Sequence, residues 1–112
     1  MSGEFCLLRG VNEGCLLSLM ELPGGSCLIK SATDHRTISI ACPIETLSSI
    51  EATGSAHLAG PEGLCAIVRD RHSVVFRFIS SDRRARSYEI ETPRFDAAVA
   101  MLSAGLSFAT LN

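Results

Sequence analysis

Arginines are the residues whose type and spacing best suit ligand binding in this chain of 112 residues. Six of them fall between positions 69 and 86, namely Arg69, Arg71, Arg77, Arg83, Arg84 and Arg86. A guanidinium group is planar and donates in a fixed fork, so it can hold a carboxylate or a phosphate through two hydrogen bonds. The cluster therefore predicts an edge that binds an anion or a partner.

The placement of these arginines follows from a strand expected over residues 73–80. Its alternation puts Arg77 on the face opposite Phe76 and Phe78. The link that follows, residues 80–86, is expected to bring three more guanidinium groups to one end of the same sheet. The alternative is a structural role, in which Arg77 pairs with glutamates of the next strand and the loop arginines are solvated.

The remaining polar residues lack a catalytic or metal-ligating pattern. No two histidines stand four residues apart with a glutamate between them, so the usual zinc-protease motif is absent. Cys65, His72 and Asp70 can be combined as nucleophile, base and orienting acid, but no nucleophile elbow accompanies them. Residues 22–26 lack the lysine of a phosphate loop and are typical of a turn. We therefore expect a protein that is not an enzyme and that uses no metal and no cofactor.

Five cysteines give an odd count, and none belongs to a closely spaced pair of the metal-binding kind. They are Cys6, Cys15, Cys27, Cys42 and Cys65. Each lies in an apolar run, which favours free thiols that pack as small hydrophobic groups in a reducing compartment.

The elements that must position these residues are mostly strands. Short apolar runs rich in β-branched and aromatic residues, with turn residues about every ten positions, are typical of a β-protein. Strands are expected near 4–9, 14–20, 26–31, 36–42, 56–59, 64–70, 73–80 and 86–92. Turns are expected at 22–25 and at 70–73, where proline, glycine, aspartate and serine accumulate.

Two helical segments are expected after the fourth and the eighth strand. In residues 92–105, Thr92 suits the N-cap, Pro93 the first helical position and Gly105 the stop. Its apolar face contains Phe95, Ala98, Val99 and Leu102. Residues 42–54 resemble a weaker copy of this segment.

An internal repeat accounts for the two similar corners. A shift of 50 positions aligns Gly10 with Gly60, Cys15 with Cys65, Arg36 with Arg86 and Pro43 with Pro93. The sequence therefore predicts an α+β fold, mainly antiparallel β, in which two pseudo-repeated ββββα halves share one core. The halves are residues 5–54 and 55–105 of a single domain that spans 1–112, followed by an apolar tail, 106–112. The alternative is two unrelated corners that share a proline at the first helical position.

The tandem ββββα order resembles the architecture of the Whirly, PC4 and PUR group of single-strand nucleic-acid binders. In that group, curved sheets present bases to aromatic and basic side chains. The resemblance covers the whole chain and is one of element order. It implies an alternative function, the binding of single-stranded nucleic acid at the arginine-rich sheet edge.

Composition limits the classes of partner. Ten basic and twelve acidic residues give a net charge of −2, which argues against a general binder of nucleic acid or acidic membranes. With 46% hydrophobic residues the chain can build a full core. No apolar stretch approaches the ~20 residues that cross a bilayer, and the N-terminal residues show no signal-peptide pattern. We expect a cytoplasmic protein with no membrane partner.

The chain contains more apolar residues than its own core requires, and this excess is the basis for the function that we expect. Residues 15–20 and the tail, 106–112, are more hydrophobic than a monomer of this size needs. Such a tail can pair as an added strand or dock on the sheet of a neighbour. We therefore expect a small non-catalytic protein-interaction module that forms a homo-oligomer.

Overall fold

The computed structural model describes residues 4–11, 14–32, 36–50 and 54–104. Four strands and a short helix are followed by four more strands and a longer helix. The elements are β1 (Glu4–Arg9), β2 (Cys15–Leu22), β3 (Ser26–Ala32), β4 (Thr37–Pro43), α1 (Ile44–Ser48), β5 (Gly54–Gly60), β6 (Gly63–Arg69), β7 (Ser73–Ser80), β8 (Ala85–Glu91) and α2 (Thr92–Ser103).

The strands form two antiparallel four-stranded meanders, with the orders β1-β2-β3-β4 and β5-β6-β7-β8. We call them the first and the second sheet. In both, alternate residues are buried, as in β4, where Ile38, Ile40 and Cys42 point inward. This is the α+β, mainly β architecture of two ββββα halves that the sequence predicts.

One hydrophobic core serves both sheets. Leu17, Leu19 and Ile29 from the first sheet belong to the same buried cluster as Phe76 and Phe78 from the second. A buried hydrogen bond of 2.7 Å joins the hydroxyl groups of Ser31 and Tyr88 across the two sheets. The halves therefore complete each other's core, because each meander has one apolar face that it cannot bury alone.

Helix α2 covers one part of this core. Phe95, Ala98, Val99 and Leu102 are buried, as the helical spacing predicts, and the rings of Phe76 and Phe95 are 6.0 Å apart between centroids. The predicted N-cap is wrong by one residue, because Thr92 is the first helical residue and Glu91 occupies the cap. The Thr92 hydroxyl instead donates to the carbonyl oxygen of Asp70.

Helix α1 is much shorter than its predicted range, 42–54. It begins at Ile44 and ends at Ser48, and Leu47 is its buried residue. Pro43 still belongs to β4 and caps the helix from an extended conformation. Ser48 and Ser49 follow Leu47, and their hydroxyl groups donate to the backbone carbonyl oxygens of Glu45 and Thr46, a local bonding pattern that competes with continuation of the helix. Gly105, the predicted stop of α2, and the tail, 106–112, lie outside the described residues.

Two turns support the predicted hairpins. Gly24 and Gly25 adopt φ angles of 80° and 76°, a left-handed conformation that glycine adopts without steric cost. At the β6–β7 turn, a carboxylate oxygen of Asp70 accepts hydrogen bonds from the backbone N–H groups of His72 and Ser73, both at 2.8 Å. These bonds lower the pKa of the Asp70 carboxyl, because they favour its charged form.

The prediction of five free thiols requires a correction. Cys6 and Cys15 form a disulfide that links β1 to β2, with their Cα atoms 5.8 Å apart. The short hairpin brings the two residues together, which their separate apolar runs did not reveal. Cys27, Cys42 and Cys65 are free and buried, as expected.

Within the described ranges, neither helix combines the length and the apolar character needed to span a bilayer.

Candidate protein-interaction surface

The face of the second sheet that points away from the core contains three rows that cross all four strands, and we call it the outer face. The first row contains Ala59, Leu64, Ile79 and Ala85. The second contains His57, Ala66, Arg77 and Ser87. The third contains Ser55, Val68, Val75 and Glu89. Residues two apart on one strand stand about 6.8 Å apart, so the rows have that spacing.

The first and third rows expose large apolar side chains. Leu64 is 52% exposed, Val68 50% and Ile79 38%. Of the four large hydrophobic residues that are exposed in the described part of the chain, these three share the outer face and the fourth is Val11. Leu64 and Ile79 are direct cross-strand neighbours, and Val68 pairs with Val75 on the far side of Arg77. Single exposed apolar residues are ordinary, whereas several on one sheet face favour an interaction site.

The first sheet presents a different outer surface. Ser18 is buried there and donates a hydrogen bond of 2.7 Å to the carboxylate of Glu4. Lys30 lies 3.8 Å from the same carboxylate. A polar row therefore crosses the middle of the first sheet, and the large apolar strand residues that are exposed among the described residues lie on the second.

Arg77 occupies the middle of the outer face. It is exposed, and its cross-strand neighbours are Ala66 and Ser87. No carboxylate of the described residues lies within ion-pair distance of its guanidinium. Glu89 stands diagonally to it and accepts a hydrogen bond of 3.4 Å from Ser73 instead. The arginine is thus free to meet an anion.

Arg69 has a structural partner. At the end of β6 it turns toward α2, where it donates two hydrogen bonds of 2.7 and 2.9 Å to Asp96. Its guanidinium lies 5.9 Å from the centroid of the Phe95 ring. Arg69 therefore links helix α2 to the second sheet, and its guanidinium group has few hydrogen-bond donors left to bind a ligand.

The other arginines are divided between the two ends of the second sheet. Arg71 is exposed in the β6–β7 turn. Arg83 and Arg84 are exposed in the β7–β8 turn at the opposite end, and Arg86 follows near the start of β8. The structure thus brings Arg83, Arg84 and Arg86 together and separates them from Arg69 and Arg71.

A residue from the first half joins the β7–β8 turn. Arg36 lies 2.9 Å from Asp82, whose carboxylate is also 3.7 Å from Arg84. The Ser80 hydroxyl donates to the same carboxylate. These contacts lower the pKa of Asp82, with the Ser80 hydrogen bond as the largest cause. The sequence pattern did not assign Arg36 to this site, although the repeat aligns it with Arg86.

The sequence-based predictions also did not include the outer face. Its signal is present in β6, where Leu64 and Val68 alternate with Cys65 and Ile67, so both faces of the strand are apolar. Such a run is typical of a strand that is covered on both sides. In this structure only the side of Cys65 and Ile67 is buried.

The residues that were combined as a nucleophilic site have separate environments. Cys65 is buried in the core, and desolvation raises the pKa of its thiol to about 12, which favours the unreactive neutral form. Asp70 and His72 belong to the exposed β6–β7 turn. Across the described ranges, no three histidine, cysteine or acidic side chains are placed to hold a metal ion.

Comparisons with family models, with curated proteins and with solved structures find no match for this chain.

Proposed function

We propose that this chain is a small non-catalytic protein-interaction module and that the outer face of the second sheet is its binding surface. The observation that carries the proposal is the grouping of Leu64, Val68 and Ile79 on one exposed sheet face. Removing such side chains from water stabilises a complex by about 25 cal/mol per Å² of apolar area. A regular sheet supplies a rigid support, so little conformational entropy is lost when a partner binds.

Adding charge to the apolar rows tests this proposal. Peptides that bind the wild-type protein can be selected from a random displayed library. They should bind a Leu64→Glu/Val68→Glu double variant much more weakly, because the two added carboxylates are costly to desolvate beneath an apolar partner. Anisotropy titration of the selected peptides gives the affinities. We expect a loss of at least about a hundredfold, the equivalent of two buried aliphatic side chains.

The matched control adds the same two charges elsewhere. Thr37 and Ala41 are exposed on β4 of the first sheet, so Thr37→Glu/Ala41→Glu should leave peptide binding unchanged. Circular dichroism must show both variants folded. Peptides that bind the Leu64→Glu/Val68→Glu variant as well as the wild type would rule out the outer face as the binding surface.

Self-association is part of the proposal and is assigned to the apolar tail, 106–112. Deletion of these residues should shift the protein to a smaller species in light scattering, and an unchanged mass would count against the tail as an interface. A cytoplasmic location is proposed on the sequence pattern alone, and the Cys6–Cys15 disulfide counts against it, because disulfides are rare in that compartment.

The alternative function is binding of single-stranded nucleic acid at the β7–β8 turn. It is supported by the exposed Arg83, Arg84 and Arg86, which Arg36 joins from the first half. Against it, Phe76, Phe78 and Phe95 are fully buried and therefore cannot stack on bases. Titration of a labelled oligonucleotide at about 50 and 200 mM salt tests it. Binding that falls with salt and is weakened by Arg83→Ala/Arg84→Ala would favour the alternative.

A further inference from the structure

On the outer face, the Leu64–Ile79 pair and the Val68–Val75 pair lie on either side of Arg77, which has no ion-pair partner among the described residues. Arg77 stands in the middle row, flanked along the strand by Val75 and Ile79. Desolvating a guanidinium that has no partner is costly, so a wholly apolar partner surface would bind this face poorly. A partner that brings a carboxylate to Arg77 removes that penalty and gains a charge-assisted pair of hydrogen bonds.

We propose that the partner of this face is an acidic polypeptide segment in which a carboxylate lies between two apolar side chains. This inference rests on the function proposed above and specifies the chemistry of the ligand. The apolar side chains would pack on the Leu64–Ile79 pair and on the Val68–Val75 pair, and the carboxylate would bind Arg77 between them.

The spacing of the rows limits the partner further. Adjacent rows are about 6.8 Å apart, which equals two residues of an extended strand or about one turn of a helix. The carboxylate must therefore stand two residues from each apolar side chain in a strand, or four residues from each in a helix. Ala66, the small neighbour of Arg77 on β6, leaves room for the incoming carboxylate.

The other charges on this face orient the partner. Glu89 and Glu91 lie on β8, at the side and the corner of the outer face. They repel an acidic segment from that side and favour a path over β6 and β7. His57, on β5, is the other titratable side chain on the face and stands in the same row as Arg77. In the β7–β8 turn beyond the first row, Arg84 lies 3.7 Å from the Asp82 carboxylate, which leaves Arg83 as the arginine of that turn without an ion pair among the described residues.

The partner's charge is tested with variants of Arg77. Displayed random peptides that bind the wild-type protein, and that need Leu64 and Val68, should be enriched in an acidic residue flanked by apolar residues at intervals of two or four. Arg77→Gln should weaken the best peptide about tenfold or more, the effect expected for one charge-assisted pair. Arg9→Gln removes an equal charge from an exposed site at the end of β1, on the first sheet, and should leave the affinity unchanged.

A charge exchange provides the decisive control. Arg77→Glu should reject the acidic peptide and bind its analogue with lysine in place of the acidic residue. Peptides that need Leu64 and Val68 but carry no acid, or that bind Arg77→Gln as tightly as the wild type, would overturn the inference and leave the proposed function intact. Failure to select any peptide that depends on these two residues would overturn both.

Two further outcomes would assign the face to another occupant. If light scattering shows a wild-type oligomer that Leu64→Glu/Val68→Glu dissociates, the face binds a second copy of the chain and the acidic-segment inference is wrong. If a single-stranded oligonucleotide displaces the peptide and its binding needs Arg77, the acidic ligand is a nucleic acid rather than a polypeptide.

Discussion

At the scale of single residues, the arginines have two different roles that their common type conceals. Arg69 is largely buried, pairs with Asp96 and lies over the Phe95 ring, whereas Arg77 is exposed and has no acidic partner among the described residues. The Nε atom of Arg69 is buried without a hydrogen-bond partner. The hydrogen bonds to the Asp96 carboxylate therefore offset most of the cost of desolvating this guanidinium group. A buried guanidinium that loses its carboxylate is left uncompensated.

Asp96→Ala should therefore lower the free energy of unfolding by about 1–3 kcal/mol, because it leaves Arg69 unpaired. Urea denaturation followed by circular dichroism measures the change. The Arg69→Met/Asp96→Ala double variant should recover part of the loss, since no charge then remains buried. An Asp96→Ala protein as stable as the wild type would show that solvent replaces the carboxylate without cost.

At the scale of elements, the β1–β2 hairpin is held by a covalent link as well as by its ladder. The disulfide joins Cys6 and Cys15, which are nine residues apart in sequence. Strand β1 also receives side-chain hydrogen bonds from α2, because Arg94 donates to the carbonyl oxygens of Cys6 and Leu7. The hairpin is thus tied both to its own second strand and to the helix of the other half.

Reduction of this disulfide should lower the free energy of unfolding by about 2–3 kcal/mol, because the unfolded chain regains the freedom of a short loop. Urea denaturation with and without reductant, with thiol counting by mass spectrometry, measures the effect. The Cys6→Ser/Cys15→Ser variant should show no response to reductant. Equal midpoints for the oxidised and reduced wild-type protein would contradict a stabilising link.

At the scale of the whole molecule, the two halves are coupled through one core. Tyr88 of the second sheet bonds Ser31 of the first, and Arg36 of the first half pairs with Asp82 of the second. Each sheet alone would expose its inner apolar face to water, and a half of about 55 residues buries a smaller share of its surface than the whole chain does.

Separately produced fragments 1–53 and 54–112 should therefore be unfolded alone, with narrow amide chemical-shift dispersion in NMR spectra, and should regain dispersion when mixed. The intact chain should unfold in one cooperative step. A fragment that shows a cooperative thermal transition by itself would contradict the single shared core and would divide the chain into two domains.

The sequence by itself determined the elements and their grouping. Both ends of all eight strands were predicted within two residues of the observed ends, because alternation of apolar residues is a local pattern that both the pleat and the core impose. Prolines and glycines marked the corners, since they restrict or release backbone angles wherever they stand. The fold of two ββββα halves followed from that order and from the repeat.

The tertiary structure alone decided how residues distant in sequence are combined. It paired Cys6 with Cys15 and Arg69 with Asp96, and it brought Arg36 to the β7–β8 turn. It also decided which apolar face of β6 is buried, since both faces of that strand are hydrophobic and periodicity cannot distinguish them. Such choices depend on which surfaces the two sheets bury against each other, and that is a property of the packed molecule rather than of any segment.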